Sequence, residues 1–578
     1  MTDVVEPADV DTRVGTTSAA EASAPAAATG SRARRVPGTV PVFLLGVACA
    51  AAASAYTLHA GTNLDYGDAM AHLTIARRIT DNQNPGLAQL GSVWLPLPHL
   101  LLLPLVQSMW LFSTGLAGSV VSALCLGATS AATWRLMHRL GLPLPAMLAG
   151  LVLLLANPAL LYVSSTALTE PVLLACLTMT IAGLAGWAFS PRQLSGGELA
   201  VFAGIPAAAG VLTRYEAWPL VLAGAFLVAV VSLRRGRGVR QSAVWTLSFV
   251  VPSIVAVLWW VAYNQIVFGD ALEFLQGEYS ASAFADVFER EGELTTAGNL
   301  GLSSKVLGWA MLETSGIVLL VLAAVGLVTT SLLWRLDDRN LVTWLGGSTT
   351  AFLLFSLTTG QHIMVNDAAM PPGAYNNRYV LSALPWLSVL AAIGLAHVGA
   401  ALTRRRTSTA VAAGQLDRGR PAHVVLLGGV VVATVLQNLY WLGDPYERMT
   451  VIQEAHVQHL AYVDTKDAAR WLREHYDGGG ILMDQTPDKS SVAPVLGLPI
   501  DEFYTRASGA VFEEAIADPY GHARWVFMHR SQVEGSATDT GLDRVTARLA
   551  LDPQFHARYR LVYAVEDIGI YRIVEGLR

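Results

Sequence analysis

Asp68 lies just past the first apolar run, in Leu64-Asp65-Tyr66-Gly67-Asp68-Ala69-Met70-Ala71-His72. A carboxylate in such a place is able to take a proton from a hydroxyl as a general base. The segment it opens also holds Arg77, Arg78, Trp94 and His99. Three further groups stand at the edges of later apolar runs: Glu170; Arg214 with Glu216; and His362, Asp367, Arg378 and Tyr379. Carboxylates suit proton abstraction and the stabilisation of positive charge, and guanidiniums grip phosphate through a planar fork. Converging on one membrane face, these groups suit chemistry on a lipid-linked anionic substrate.

Each group also has a plainer reading. If 66–79 is a short surface helix, His72 stands one turn from Asp68 on the same face and Arg78 lies roughly 80° round, while Arg77 points nearly opposite and is expected to snorkel to lipid headgroups. An interfacial helix with ordinary surface charges fits the same spacing. Glu170 precedes Pro171, which suits a helix first turn, where a carboxylate is favoured structurally; functionally it is a second acid facing Asp68. Arg214 and Glu216 sit in a tight hairpin close to hydrocarbon, where charges are costly unless paired or engaged; they pair with each other or grip a phosphate. Arg378 opens a span and snorkels, or joins a site with His362, Asn366 and Asp367. His362 with Asp68 and Glu170 is a conceivable divalent-metal set, but the spacing matches no strong motif and the metal stays open.

The elements that must position these groups are membrane helices. Of 578 residues 53% are hydrophobic and 14% charged, against about a quarter charged in soluble proteins. Apolar runs predict eleven spans, near 39–60, 116–137, 144–163, 171–189, 198–213, 217–233, 243–263, 307–334, 341–358, 379–402 and 422–442. The stretch 95–112, broken by Pro96, Pro98 and Pro104, reads as interfacial or re-entrant. The clusters Arg32/Arg34/Arg35, Arg135/His138/Arg139, Arg234/Arg235/Arg237/Arg240, Arg335/Arg339 and Arg404/Arg405/Arg406 all fall inside on this parity, as positive loops should. The four groups that could do chemistry then all fall outside, an agreement not imposed on the acidic residues.

Residues 1–38 read as a disordered cytoplasmic tail, 39–442 as the transmembrane domain, and 443–578 as an extracytoplasmic α/β domain. In the last, Thr465–His475 predicts an amphipathic helix, and 481–483, 525–528 and 568–573 predict strands. Cys49, Cys125 and Cys176 sit inside apolar runs and suggest no disulfide or zinc framework. No nucleic-acid partner is expected.

In order along the chain, several pieces resemble the GT-C superfamily of integral-membrane glycosyltransferases, in the branch of protein O-mannosyltransferases and the lipid A aminoarabinose transferase. Asp68-Ala69-Met70-Ala71-His72-Leu73-Thr74-Ile75-Ala76-Arg77 resembles its first-loop motif, Trp94-Leu95-Pro96-Leu97-Pro98-His99 its Lys-Pro-Pro-Leu element, and Ala167-Leu168-Thr169-Glu170-Pro171 its Thr-Asp-Pro-Leu stretch. Leu212-Thr213-Arg214 resembles a Leu-Thr-Lys step and Arg378-Tyr379-Val380-Leu381-Ser382-Ala383-Leu384-Pro385 its Arg-Tyr-Leu-Leu-Pro-Ala-Leu-Pro segment. The second acid of the first-loop motif is Ala69 here, and the lysine of the proline element is Trp94. The resemblance covers about residues 40–400. It implies an α-helical polytopic GT-C-like protein of the bacterial plasma membrane; the basic loops and span parity put its N-terminus in the cytoplasm and its C-terminal domain outside. The resemblance further implies transfer of a sugar from a polyprenyl-phosphate donor to a glycan, lipid or protein acceptor, with inversion. In that scheme Asp68 is the base, Glu170 the second acid, and Arg214 and Arg378 the phosphate grip. His72, Arg78, Trp94, His99, Glu216, His362, Asp367 and Tyr379 line the substrate site. The alternatives are a transporter or flippase of a lipid-linked anion, which calls for an internal repeat and midplane charges that the chain does not show, or a non-catalytic relative.

Overall fold

In hydrocarbon the backbone must satisfy its own hydrogen bonds, so long apolar runs become helices. The computed structural model describes residues 36–190, 194–277, 280, 283, 285, 289–290, 295–370, 373–410, 420–486, 489–530 and 543–574. The leader with Arg32, Arg34 and Arg35 lies outside them, and from Gly38 on the chain forms one unit. Among the described residues nine helices are long and apolar enough to cross a membrane: Thr39–Ala60, Leu116–Arg139, Glu170–Ala188, Tyr215–Arg234, Val239–Phe268, Ile317–Trp334, Asp338–Thr358, Asn377–Thr403 and Ala422–Leu442. Two shorter apolar helices, Leu144–Leu155 and Gly196–Val211, correspond to the remaining expected spans.

Two expected spans are broken. The run 144–163 stops at Leu155 and restarts as Pro158–Val163, because Asn157 caps the second piece by accepting from the Leu160 amide at 2.9 Å. The run 307–334 splits into Leu300–Ser315 and Ile317–Trp334 at Gly316, whose φ of 82° and ψ of 155° end the helix. The proline-rich stretch forms two short helices, Leu97–Leu102 and Met109–Ser113, since three prolines deny it a continuous ladder.

The bundle has two chemically distinct ends. Helix Glu170–Ala188, about 28 Å long at 1.5 Å per residue, carries Glu170 at its start, while Arg139 donates to the Ala182 carbonyl and Arg235 to those of Trp187 and Ala188 near its finish. Arg234, at the finish of the next long helix, bonds Asp338 at 3.1 Å. Arg139, Arg234 and Arg235 thus gather at one end and Glu170 stands at the other.

Beyond the last span stands a five-stranded sheet of β1 (Ile481–Leu482), β2 (Phe503–Tyr504), β3 (Trp525–His529), β4 (Tyr559–Val565) and β5 (Ile568–Ile573), in the order β2-β1-β3-β5-β4. β1 runs parallel to β2 and β3, while β5 is antiparallel to β3 and β4. Alternation sends Ile481, Trp525 and Phe527 to one face under the amphipathic helix Val463–His475. Leu482, Val526 and Met528 face Phe512, Val545 and Phe555 on the other. β2 and β4 were not expected: β2 has two residues, and Leu561 and Val562 of β4 are exposed at the sheet edge, so neither shows buried alternation.

The sheet domain is fastened to the first loop. Tyr66 donates to the Val451 carbonyl at 2.8 Å and the Gly67 amide to Gln458 at 2.9 Å. Asp65 meets His459 at 2.6 Å and Lys466 at 3.7 Å. Farther along, Asn82 and Gln89 both donate to the Ala507 carbonyl, at 3.0 and 2.9 Å.

Gly118 positions Glu170. A Cβ there would overlap the backbone and Cβ of Ala167, and Ser119 and Ser122 bond the Ser165 and Thr166 carbonyls at 2.7 and 2.8 Å. Gly118→Ala is expected to lower stability by roughly 1–3 kcal/mol through overpacking, outweighing the ~1 kcal/mol of helix propensity it gains. Thermal unfolding of the purified protein checks this; an unchanged or raised midpoint would show that the 164–169 loop gives way.

Candidate active site

Three carboxylates from three distant parts of the chain meet on Arg378. Its Nε donates to Glu170 Oε1 at 3.0 Å, its Nη1 to Glu454 Oε1 at 2.8 Å, and its Nη2 to Asp68 Oδ2. The guanidinium lies over the Tyr66 ring at 4.7 Å and near that of Tyr379 at 5.4 Å. The Arg378 side chain is 3% exposed, those of Glu170 and Glu454 are 4% and 2%, and that of Asp68 is 41%. Asp68 is therefore the rim of the cluster. Glu170 Oε2 and Glu454 Oε2 are buried and accept no hydrogen bond.

Local structure aims each group. Asp68 is in the first turn of helix Gly67–Arg78, and Glu170 in that of Glu170–Ala188, with Pro171 behind it. Arg378 sits on a 3-10 turn, Asn377–Ala383, at the head of its span. The preceding loop folds back on itself: Val365 and Tyr375 form a β-bridge, Asn377 donates to the Val365 carbonyl at 2.6 Å, and Asn376 takes the left-handed conformation at φ 58°, which asparagine tolerates. Glu454 lies on Thr450–Ala461, the first full helix after the last span.

Arg214 forms a second node. Its Nε and Nη2 donate to Glu216 Oε1 at 2.9 and 2.7 Å, and its Nη1 to Thr169 and Glu170 at 3.1 and 3.2 Å. Its guanidinium lies 4.4 Å over the Tyr379 ring. Glu170 thus joins both arginines. His362 stands edge-on to Tyr379 at 5.6 Å, and burial lowers its pKa. His72 and His99 touch through Nδ1 and Nε2 at 2.9 Å, with Trp94 packed on His72 at 4.4 Å. Burial, then the charge of Arg214, pushes His72 down to about 3, so the pair is neutral.

The remaining residues lie elsewhere. Asp367 is exposed and accepts from the Gly373 amide at 3.0 Å, closing its own loop. Arg78 is not part of the cluster: it donates to the Gln89 carbonyl at 2.7 Å and lines a cleft with residues of the sheet domain. Arg77 does not snorkel: it is buried, pairs with Asp81 at 2.7 Å and donates to the Val106 carbonyl at 2.6 Å, because the 95–112 stretch folds over it.

Glu454 was not anticipated from sequence. Val451, Glu454 and Ala455 share the buried face of their helix, and an acid on an apolar face just past a span was the available signal. Four carboxylates against two guanidiniums leave the joint cluster negative, so it favours a developing positive charge. A divalent cation does not fit among Asp68, Glu170 and Glu454, since Arg378 occupies the point between them. His362 stands with Tyr379 instead, and among the described residues no three His, Cys, Asp or Glu side chains form a metal-holding group.

No family model matches the sequence, and no curated protein matches it. Among solved structures the chain is similar to ArnT from Cupriavidus metallidurans in the apo state, at 14% identity over 88% of this chain and 93% of that one, with a TM-score of 0.46. It is also similar to the oligosaccharyltransferase of Archaeoglobus fulgidus tethered with an acceptor peptide, at 11% identity over 85% and 69%, with a TM-score of 0.42. Likenesses of that order assign no reaction to this chain.

Burial pushes Glu454 up from 4.5 to about 7. The folded state then holds a proton that the unfolded state has lost between those values, so this group's contribution falls as pH rises from 4.5 to 7. His72, depressed in the folded state, acts in the opposite sense below its usual pKa of about 6.5. Glu454→Gln isolates the first slope: the melting midpoint of the variant minus that of the wild type is expected to grow steadily from pH 4.5 to 7.5. A constant difference would place the Glu454 pKa in the ordinary range.

Proposed function

We propose that the protein is a membrane glycosyltransferase that moves a sugar from a polyprenyl-phosphate donor to an acceptor hydroxyl, with inversion at the anomeric carbon. The observation that carries this reading is the Arg378 cluster: one half-exposed carboxylate, Asp68, at the rim of a buried, net-negative site at the end of the bundle away from the basic loops. By the preference of basic loops for the cytoplasm, that end and the sheet domain are extracytoplasmic.

Asp68 is the base. While it is bonded to Arg378, its Oδ2 is taken up by the guanidinium Nη2. The donor phosphate, on reaching the rim, takes Arg378 Nη2 in its place, and the freed carboxylate accepts the proton of the acceptor hydroxyl. The hydroxyl oxygen bonds to the anomeric carbon from the face opposite the phosphate, and the C–O bond to phosphate breaks with its electron pair leaving on oxygen. Positive charge grows on the sugar ring during that exchange, and Glu170 and Glu454 stabilise it. Their unbonded Oε2 atoms accept from sugar hydroxyls. An apolar crevice lined by Leu136, Leu177, Ile181, Leu220, Trp386 and Val389 lies deeper among the spans.

Asp68→Asn keeps size and leaves Arg378 bound to Glu170 and Glu454. It is expected to cut transfer by about 10²–10⁴-fold, the usual worth of a general base, with little loss of folded protein. Labelled polyprenyl-phosphate sugars and reconstituted enzyme supply the assay; near wild-type turnover would remove Asp68 from the chemistry. Orientation has its own check. A reporter active only outside the cytoplasm, fused after residue 450, should be active, and a silent fusion with an active cytoplasmic reporter at the same point would invert every assignment of side.

A further inference from the structure

Arg78 is the arginine of the first loop without an acidic partner. Arg77 pairs with Asp81, and Arg214 and Arg378 are each held by two or more carboxylates. Arg78 Nε donates to the Gln89 carbonyl at 2.7 Å, and among the described residues no carboxylate pairs with it. Burial lowers its pKa to about 10, the mark of a cation whose lost hydration is not replaced by a counter-charge.

It faces a cleft between the first loop and the sheet domain, lined also by Thr74, Gln485, Lys489, Ser490 and Thr505. The sheet side of the cleft is the carboxyl edge of β1 and β2, parallel strands ending at Leu482 and Tyr504. Ligands of parallel sheets collect at that edge. Ser490 Oγ is buried there and makes no hydrogen bond. Lys489 is balanced by Asp543 at 2.6 Å, which leaves Arg78, among the described residues of the cleft, as the cation with no carboxylate on it. The walls are fixed to each other through the Ala507 carbonyl, which accepts from both Asn82 and Gln89.

We propose that Arg78 and Ser490, with Gln485 beside them, form an oxyanion subsite for a phosphate-class group between the first loop and the sheet domain. The planar fork of Arg78 supplies two donors suited to phosphate oxygens, and the serine hydroxyl a third. The subsite is separate from the Arg378 cluster: ten residues of helix at 1.5 Å each put Arg78 about 15 Å along the axis from Asp68. It does not depend on the glycosyl transfer assigned to that cluster. Two sources carry the chemistry, an anionic lipid headgroup and a phosphate on a substrate that reaches between the domains.

The full chain in phosphatidylcholine nanodiscs is titrated with inorganic phosphate against chloride at matched ionic strength, with the unfolding midpoint as readout. A saturable rise specific to phosphate is expected, with an apparent Kd weakened about tenfold or more in Arg78→Gln, the scale of a charge-assisted hydrogen bond. Ser490→Ala should weaken it less. Repeating the titration in nanodiscs containing phosphatidylglycerol separates the sources: a response lost there assigns the subsite to a lipid headgroup, and a response kept assigns it to a substrate phosphate. The proposal is overturned if phosphate acts no differently from chloride on the wild type, or if Arg78→Gln responds like the wild type. Should that variant not fold, Arg78→Lys in the same titration decides, since an unaltered apparent Kd there excludes the fork.

Discussion

The grip of one buried guanidinium on three carboxylates organises this protein. Removing ions from water is expensive, and their mutual attraction offsets the cost only when the geometry is good. Arg378 meets that condition by using Nε, Nη1 and Nη2 on acids from residues 68, 170 and 454. The first loop, a span and the helix leading to the sheet domain are thereby tied to one point. Displacing Glu170 or Glu454 would strip Arg378 of a buried partner, so those two segments hold one another in place. Glu170, shared with Arg214, extends the tie to a fourth segment.

That arrangement also sets the electrostatics. Both arginines are turned on carboxylates, and the histidines nearby are held neutral by burial. The site is therefore poor at holding an anion in its interior and good at tolerating a cation there. An anion meets Arg378 only at the exposed Asp68 rim, in exchange for that carboxylate. Arg78, by contrast, keeps its charge unmatched at a second place, where the sheet domain closes over the first loop. Arg378 and Arg78 thus divide two kinds of work, because one neighbourhood is rich in acids and the other, among the described residues, puts none on the guanidinium.

Much of the fold was legible in the sequence because hydrocarbon enforces a single local solution. Each of the eleven apolar runs became a helix or a pair of helices, and the three prolines in 95–112 did prevent a twelfth. The breaks at Asn157 and Gly316 were not foreseen, since an apolar run gives no sign of where a cap or a backbone angle will interrupt it. β2 and β4 lacked the period-two burial that reveals a strand, and only pairing with β1 and β5 defines them.

Of the site, sequence alone determined which ionisable groups stand at span edges: Asp68, Glu170, Arg214, Glu216, His362 and Arg378 were all singled out because charge beside hydrocarbon demands a reason. It could not determine who partners whom. Arg77 and Arg78 are adjacent and alike, yet the tertiary fold gave one an aspartate and a carbonyl beneath the 95–112 stretch and turned the other toward a different domain. Asp367 looked like a member and closes its own loop. Glu454 looked like part of a separate domain and sits on Arg378. The reason is physical: the cost of burying a charge can be read from composition and position, whereas its compensation depends on distances of about 3 Å between residues hundreds of positions apart, and those exist only once the chain has folded.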